Sequence, residues 1–189
     1  MNGKIIVISA PSGCGKSTII DAVMNRGNID VEFSVSATNR PPREGETHGV
    51  HYWFLTEEEF NEAIMSDLFV EYEEVFPGRF YGTLKSEITN KCNQGKNLIL
   101  DIDVKGAINV KKLFGDRVLT IFIEPPSMDE LMNRLKKRGS ETLESLAERM
   151  GKARFEMTYA DKFDCKIVND DLEKAIKETE SVISDFINQ

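Results

Sequence analysis

Residues 10–18 read APSGCGKST, directly after a β-branched run and directly before a helical pattern. The run, Lys4–Ser9 (KIIVIS), is too short for a helix and apolar enough for a central strand buried on both faces. Pro11–Gly15 is a turn of small residues, and the helical pattern runs from Lys16 to about Arg26. This is the context of the pattern G-x-x-x-x-G-K-[ST], with Ala10 in place of the first glycine. A turn of small residues lets backbone N–H groups curl around a phosphate, and the following helix presents its positive N-terminus. Lys16 is then placed to reach the β- and γ-phosphates, and the Ser17 hydroxyl to meet Mg²⁺. The stretch therefore predicts a nucleoside triphosphate site, against the alternative of an ordinary strand–turn–helix junction. Cys14 lies inside the loop, where a helix N-terminus can favour the thiolate; a small filler is the plainer reading of it.

A strand–turn–helix unit needs a sheet around it. The chain has 189 residues, enough for one domain with an insertion. Further strands are expected at Val31–Thr38, where apolar and polar residues alternate, and at Phe69–Phe76, Lys96–Asp103, Arg117–Ile123 and Cys165–Val168. Helices are expected over 84–94, 104–114, 142–159 and 172–186. Thr56 with Glu59 and Ser127 with Glu130 read as capping boxes that open two more. Strands alternate with helices at both ends of the chain, which predicts an α/β fold: a P-loop-type parallel sheet flanked by helices, with right-handed crossovers. Residues 34–83 break the alternation and read as a strand-rich insertion, leaving 1–33 and 84–189 as the core.

Charge and cysteines narrow the function classes. Acids outnumber bases 32 to 24, for a net charge of -8, so a nucleic-acid-coating role is not expected. No apolar run approaches the ~20 residues of a membrane span, and the N-terminal segment reads as a first strand and not as a signal peptide. Cys14, Cys92 and Cys165 are widely spaced with no CxxC, which argues against a disulfide framework or zinc site and for a reducing cytoplasm. His48 and His51 read as exposed loop residues.

The insertion carries Arg40 and Arg43 in a proline-stiffened turn, then Tyr52, with Tyr81 further on. Two guanidiniums and two phenols suit a second phosphate, although these residues alone are better read as a solvated pair on a loop. Glu71 stands within the apolar strand run. A carboxylate matches the N1–H and N2–H donors of guanine, and a hydroxyl from Ser36 or Thr83 matches O6; such a site rejects bases with the opposite pattern. Asp101 and Asp103 end a central strand, where ligands bind in parallel sheets. They are candidates to hold Mg²⁺ through water or to touch a second substrate, with a helix N-cap as the rival role for Asp103. Residues 133–154 hold seven bases against three acids, consistent equally with a mobile lid and with a charged helix pair.

Taken in order, APSGCGKST, SVSATNRPPREGETHGVHYWF, YGT, LDIDVKG, RLKKRG and IVNDD resemble the motifs of the guanylate kinases, over essentially the whole chain. The resemblance implies a core, a GMP-binding region at 34–83 and a lid within about 134–154. It implies that Ser12, Gly13, Cys14, Gly15, Lys16, Ser17 and Thr18 hold the ATP phosphates, with Arg138 and Asn169 near adenine. Arg40, Arg43, Tyr52 and Tyr81 would hold the GMP phosphate, while Ser36, Glu71, Thr83 and Asp103 would read or orient guanine. Arg134 and Arg149 would close onto the transferring phosphoryl group, with Lys16 and Arg40 as its other catalytic cations; Ser17 and water-bridged Asp101 would serve Mg²⁺. The implied reaction is ATP + GMP → ADP + GDP in the cytoplasm, by a monomer or small homo-oligomer with no nucleic-acid or membrane partner. Two alternatives stay open on the sequence: a P-loop enzyme acting on another base, and a non-catalytic module of the same fold that binds a phosphorylated protein.

Overall fold

The structure, a computed structural model, describes residues 3–137 and 143–189. In chain order the elements begin β1 (Ile5–Ser9), α1 (Lys16–Arg26), β2 (Glu32–Phe33), β3 (Ala37–Thr38), β4 (Trp53–Phe54), α2 (Glu57–Met65), β5 (Phe69–Phe76) and β6 (Arg79–Leu84). They continue α3 (Lys85–Asn93), β7 (Leu98–Asp101), α4 (Val104–Phe114), β8 (Val118–Glu124), α5 (Met128–Lys137), α6 (Leu143–Met157), β9 (Cys165–Val168) and α7 (Leu172–Ile187).

Five strands form a parallel sheet in the order β2-β7-β1-β8-β9. Side chains alternate across each strand. Ile6 and Ile8 enter one apolar cluster together with residues of α1 and α7, while Ile5 and Val7 enter another built on α3 and α4. Both faces are covered, which is why β1 is apolar throughout. The C-terminal ends of β1 and β7 carry the phosphate-loop sequence and the Asp101–Asp103 segment, and both meet at one cleft.

A second sheet, in the order β4-β3-β6-β5, lies within residues 37–84 and has its own small core. Phe60 of α2 stacks on Phe69 of β5 at 4.5 Å between centroids. The Thr56–Glu59 capping box forms with both arms, at 3.1 and 2.7 Å.

Two expectations need correction. Val31–Thr38 is not one strand. Glu32–Phe33 pairs with β7 in the central sheet, and Ala37–Thr38 pairs with β4 and β6 in the other. The alternating pattern is shared by two short strands that pair in different sheets, and the chain changes sheets over residues 34–36. The Ser127–Glu130 box forms by one arm only: Glu130 N–H donates to Ser127 at 3.1 Å, but the Glu130 carboxylate turns along the helix to accept from Arg134 Nε at 3.0 Å. An i,i+4 ion pair has outcompeted the second capping bond. The helix joint expected around Gly139 falls outside the described residues, as does Arg138.

Glu87, in the first turn of α3, is buried and ties the crossing between the sheets. Its carboxylate accepts from Val35 N–H at 3.1 Å and from Trp53 Nε1 at 3.2 Å, and pairs with Lys91 at 2.8 Å.

Candidate active site

The turn after β1 is built for close approach. Gly15 stands at the N-terminus of α1 with φ 87°, a left-handed conformation that glycine adopts without a Cβ penalty. A Cβ there would also run into the Asn169 amide. Neither a capping side chain nor an acid sits in the first turn of α1, so its N–H groups are left for an anion. The ammonium of Lys16 pairs with the Asp101 carboxylate across the β1–β7 junction. Cys14 differs from one expectation: burial pushes its thiol up to about 12, against a smaller opposing pull from Arg134. The helix N-terminus yields no thiolate here, because the sulfur is sealed into the core while its carbonyl faces Asn169. The Asn169 amide donates to that carbonyl at 2.7 Å, joining the end of β9 to the loop.

A cleft of about 630 Å³ opens between this loop and the second sheet. Lys16, Ser17, Ser36, Glu71, Tyr81, Asp101 and Asp103 all line it. Thr83, across the ladder from Glu71, donates its hydroxyl to that carboxylate at 2.7 Å. Burial raises the Glu71 carboxyl to about 7, with the Thr83 bond pulling the other way and Asp103 adding to the rise. Asp103 does cap α4, accepting from Gly106 N–H at 2.7 Å, and lines the cleft as well. Gly106 leaves room for Glu71: a Cβ there would lie 2.6 Å from Glu71 Cγ.

Beside these residues, Arg40 is buried under the second sheet. Its Nε donates to the Tyr81 hydroxyl at 3.2 Å, and its guanidinium lies over the Tyr52 ring at 5.1 Å. Arg43 is exposed. The proline-stiffened turn therefore does not carry two equivalent solvated arginines: one is held inside and one faces water.

The two lid arginines fall in different places. Arg149 of α6 lines the main cleft. Arg134 of α5 lines a second opening of about 360 Å³ with Thr18, Lys137 and Asn169, and donates to the Asn169 carbonyl at 3.0 Å.

Three residues carry contacts that the sequence reading did not assign. Glu46, three residues after Arg43, holds Arg40. Lys152 of α6 reaches Glu73 of β5 at 3.0 Å, bridging the cleft mouth. Glu156 lines the cleft with one buried oxygen lacking a partner among the described residues, and burial pushes its carboxyl up. Neither Lys152 nor Glu156 stands out from the charged face of a long helix.

The guanylate kinase family model matches residues 2–186. The chain belongs to the guanylate kinase family. A guanylate kinase of Bacteroides thetaiotaomicron is 51% identical over 189 residues, covering 100% of this chain and 92% of that protein. One of Chlorobium chlorochromatii is 52% identical over 186 residues, covering 98% and 97%. The crystal structure of guanylate kinase from Anaplasma phagocytophilum superposes with a TM-score of 0.72 at 31% identity, covering 96% of this chain and 85% of that one. As a member of the guanylate kinases the chain is an enzyme, a nucleoside monophosphate kinase that phosphorylates GMP with ATP. The parallel sheet flanked by helices is that of the P-loop fold. No described helix is long and apolar enough to cross a membrane.

Proposed function

We propose that the main cleft is where ATP and GMP meet, with the γ-phosphoryl group passing directly between them in a Mg²⁺-dependent reaction. The observation that carries this reading is that Lys16 of the phosphate loop and Glu71 of the second sheet line the same cleft. Residues 12–18 hold the ATP phosphates there, and the adenine-side roles are assigned to Asn169, which lines the neighbouring opening, and to Arg138. Arg40, Arg43, Tyr52 and Tyr81 hold the GMP phosphate. Glu71, Thr83, Ser36 and Asp103 recognise guanine, so residues 34–83 form the GMP-binding insertion, with the lid within about 134–154.

A GMP phosphate oxygen attacks Pγ; the new O–Pγ bond forms as the bond from Pγ to the bridging oxygen of ADP breaks. A phosphomonoester is largely dianionic near neutrality, its second pKa being ~6, so the nucleophile needs no general base. The protein's work is orientation and charge neutralisation. Lys16 meets the β- and γ-phosphates, and Arg40 orients the acceptor. Arg134 and Arg149 approach the transferring group when the lid closes, which also keeps water from taking the phosphoryl group.

Asp101 and Ser17 are the candidates to hold Mg²⁺, the aspartate through water. Both line the cleft, and among the described residues no three carboxylate, thiol or imidazole groups gather as a metal cage. That donor set suits Mg²⁺ bound mainly by phosphate and water. When bound, the ion neutralises charge on the β- and γ-phosphates. A cytoplasmic site of action fits the three free cysteines.

The test is ADP release from ATP–Mg²⁺ with GMP, AMP, CMP, UMP and TMP offered singly. Turnover with GMP alone is expected; turnover with another base overturns the roles of Glu71, Ser36 and Thr83. Lys16→Ala should lose about 10²–10³ in kcat while GMP still binds, and unchanged turnover removes Lys16 from the reaction.

A further inference from the structure

Arg40 is committed before any substrate arrives. It is 5% exposed, and its guanidinium is held over the rings of Tyr52 and Phe54 at 5.1 and 5.5 Å. A guanidinium carries five N–H hydrogens in a fixed fork. Nε uses its hydrogen on the Tyr81 hydroxyl at 3.2 Å. Nη1 uses both of its own, on the Pro41 carbonyl at 2.9 Å and on Glu46 Oε2 at 2.6 Å. Nη2 uses one, on Glu46 Oε1 at 2.6 Å. Among the described residues a single Nη2 hydrogen is left for a ligand.

Glu46 is equally committed. Both oxygens bind Arg40, and Oε2 also accepts from Arg43 N–H at 2.7 Å. One carboxylate therefore fixes the Arg40 side chain and the backbone of the turn that carries Arg43. The charges of Arg40 and Glu46 cancel. The Arg43 side chain is exposed and makes no hydrogen bond or ion pair among the described residues.

Two fates for Glu46 are chemically distinct. If an incoming phosphate displaced it, a carboxylate stripped of its guanidinium would remain beside a dianion, two like charges in a half-buried site. If it stays, the phosphate receives one oriented Arg40 hydrogen, and the positive charge that is not already cancelled comes from Arg43. We propose that Glu46 is a positioning residue that stays in place: it aims one N–H of Arg40 at the GMP phosphate and sets the turn from which Arg43 supplies the net charge. Arg40 and the Arg43 N–H hold the Glu46 carboxyl down at about 2, so the pair persists across the working pH range. The inference rests on the proposed GMP-phosphate site and goes beyond it by assigning unequal roles to its two arginines.

The experiment compares Glu46→Gln and Glu46→Asp with the parent for KM(GMP), KM(ATP) and the inhibition constant of guanosine, which lacks the phosphate. Hydrogen bonds to charged groups set the scale, and KM(GMP) should rise about tenfold or more in Glu46→Gln. KM(ATP) and guanosine inhibition should stay unchanged, and Glu46→Asp should lie between the two. An unchanged or lowered KM(GMP) in Glu46→Gln overturns the proposal, because Glu46 would then be inert or a competitor that phosphate must expel. A parallel loss of guanosine or ATP binding also overturns it, since the role would be general folding of the insertion. Arg40→Ala separates the two levels. If it leaves KM(GMP) unchanged, the phosphate site itself is misassigned; if it raises KM(GMP) while Glu46→Gln does not, only the role of Glu46 fails.

Discussion

Thr83 and Glu71 face each other across the β5–β6 ladder, and the threonine hydroxyl donates to the carboxylate at 2.7 Å. The bond holds a half-buried acid of β5 that lines the cleft. It partly offsets the desolvation that raises Glu71 to about 7. Guanine recognition through N1–H and N2–H needs the ionised form. With that carboxyl raised to about 7, GMP bound as proposed would displace a proton from Glu71 near neutral pH.

The first prediction follows from that proton. GMP binding near pH 7 should release protons, read as a dependence of the calorimetric binding enthalpy on the ionisation enthalpy of the buffer. Glu71→Gln should abolish the part due to Glu71, leaving only release from the GMP phosphate itself. KM(GMP) should fall as pH rises from 6.5 to 8 in the parent and change less in the variant. For folding the sign is opposite. A carboxyl raised in the native state contributes stability fully present below about pH 4.5, its ordinary value, and lost as pH rises through about 7. The ligand-free parent should lose more stability over that interval than Glu71→Gln.

Gly106→Ala separates stability from recognition. Alanine is the better helix former by about 0.8–1 kcal/mol. The new methyl, however, would lie 2.6 Å from Glu71 Cγ and 3.2 Å from Asp103 Oδ1. KM(GMP) should rise at least several-fold with KM(ATP) unchanged and Tm roughly preserved. An unaltered KM(GMP) would mean that Glu71 can shift without loss of guanine binding.

Asn169→Ala tests the tie between β9 and the phosphate loop. It removes a buried hydrogen bond of 2.7 Å and leaves the Cys14 carbonyl unpaired, at a cost of about 1–3 kcal/mol. A lower Tm and a higher KM(ATP) are expected, with KM(GMP) little changed. Equal effects on both substrates would place Asn169 outside the ATP side.

Cys14 should be inert although it sits in the nucleotide loop. Its thiol is pushed up to about 12 and is buried, so native protein at pH 8 should react with a thiol reagent at Cys165 first, the one cysteine that is half-exposed. Rapid modification of Cys14 before unfolding, mapped by peptide mass, would contradict its packing role.

Features written in local chemistry were the readable ones. The phosphate loop could be placed because strand, turn and helix chemistry coincide within nine residues. The Thr56–Glu59 box was readable for the same reason. Glu71 could be singled out because an acid inside an apolar strand needs a partner. What escaped depends on partners distant in sequence or on competition between nearby ones. Val31–Thr38 has one period but two destinations, which only the pairing with β7 and β6 decides. Glu130 had two partners within reach, and the choice of Arg134 over the capping bond is a matter of geometry. Arg40 and Arg43 look alike in the sequence; they differ because Glu46, Tyr52, Phe54 and Tyr81 enclose only the first.

The stitch at Glu87 has a mechanical consequence. The chain passes between the two sheets at residues 34–36 and where β6 meets α3, and the Val35 bond to Glu87 fastens the first crossing to the second. Two strand-to-core crossings that are far apart in the sequence thus share one acid, so replacing Glu87 would loosen both at once. Ser36, on the cleft wall, is the residue next to the first of them.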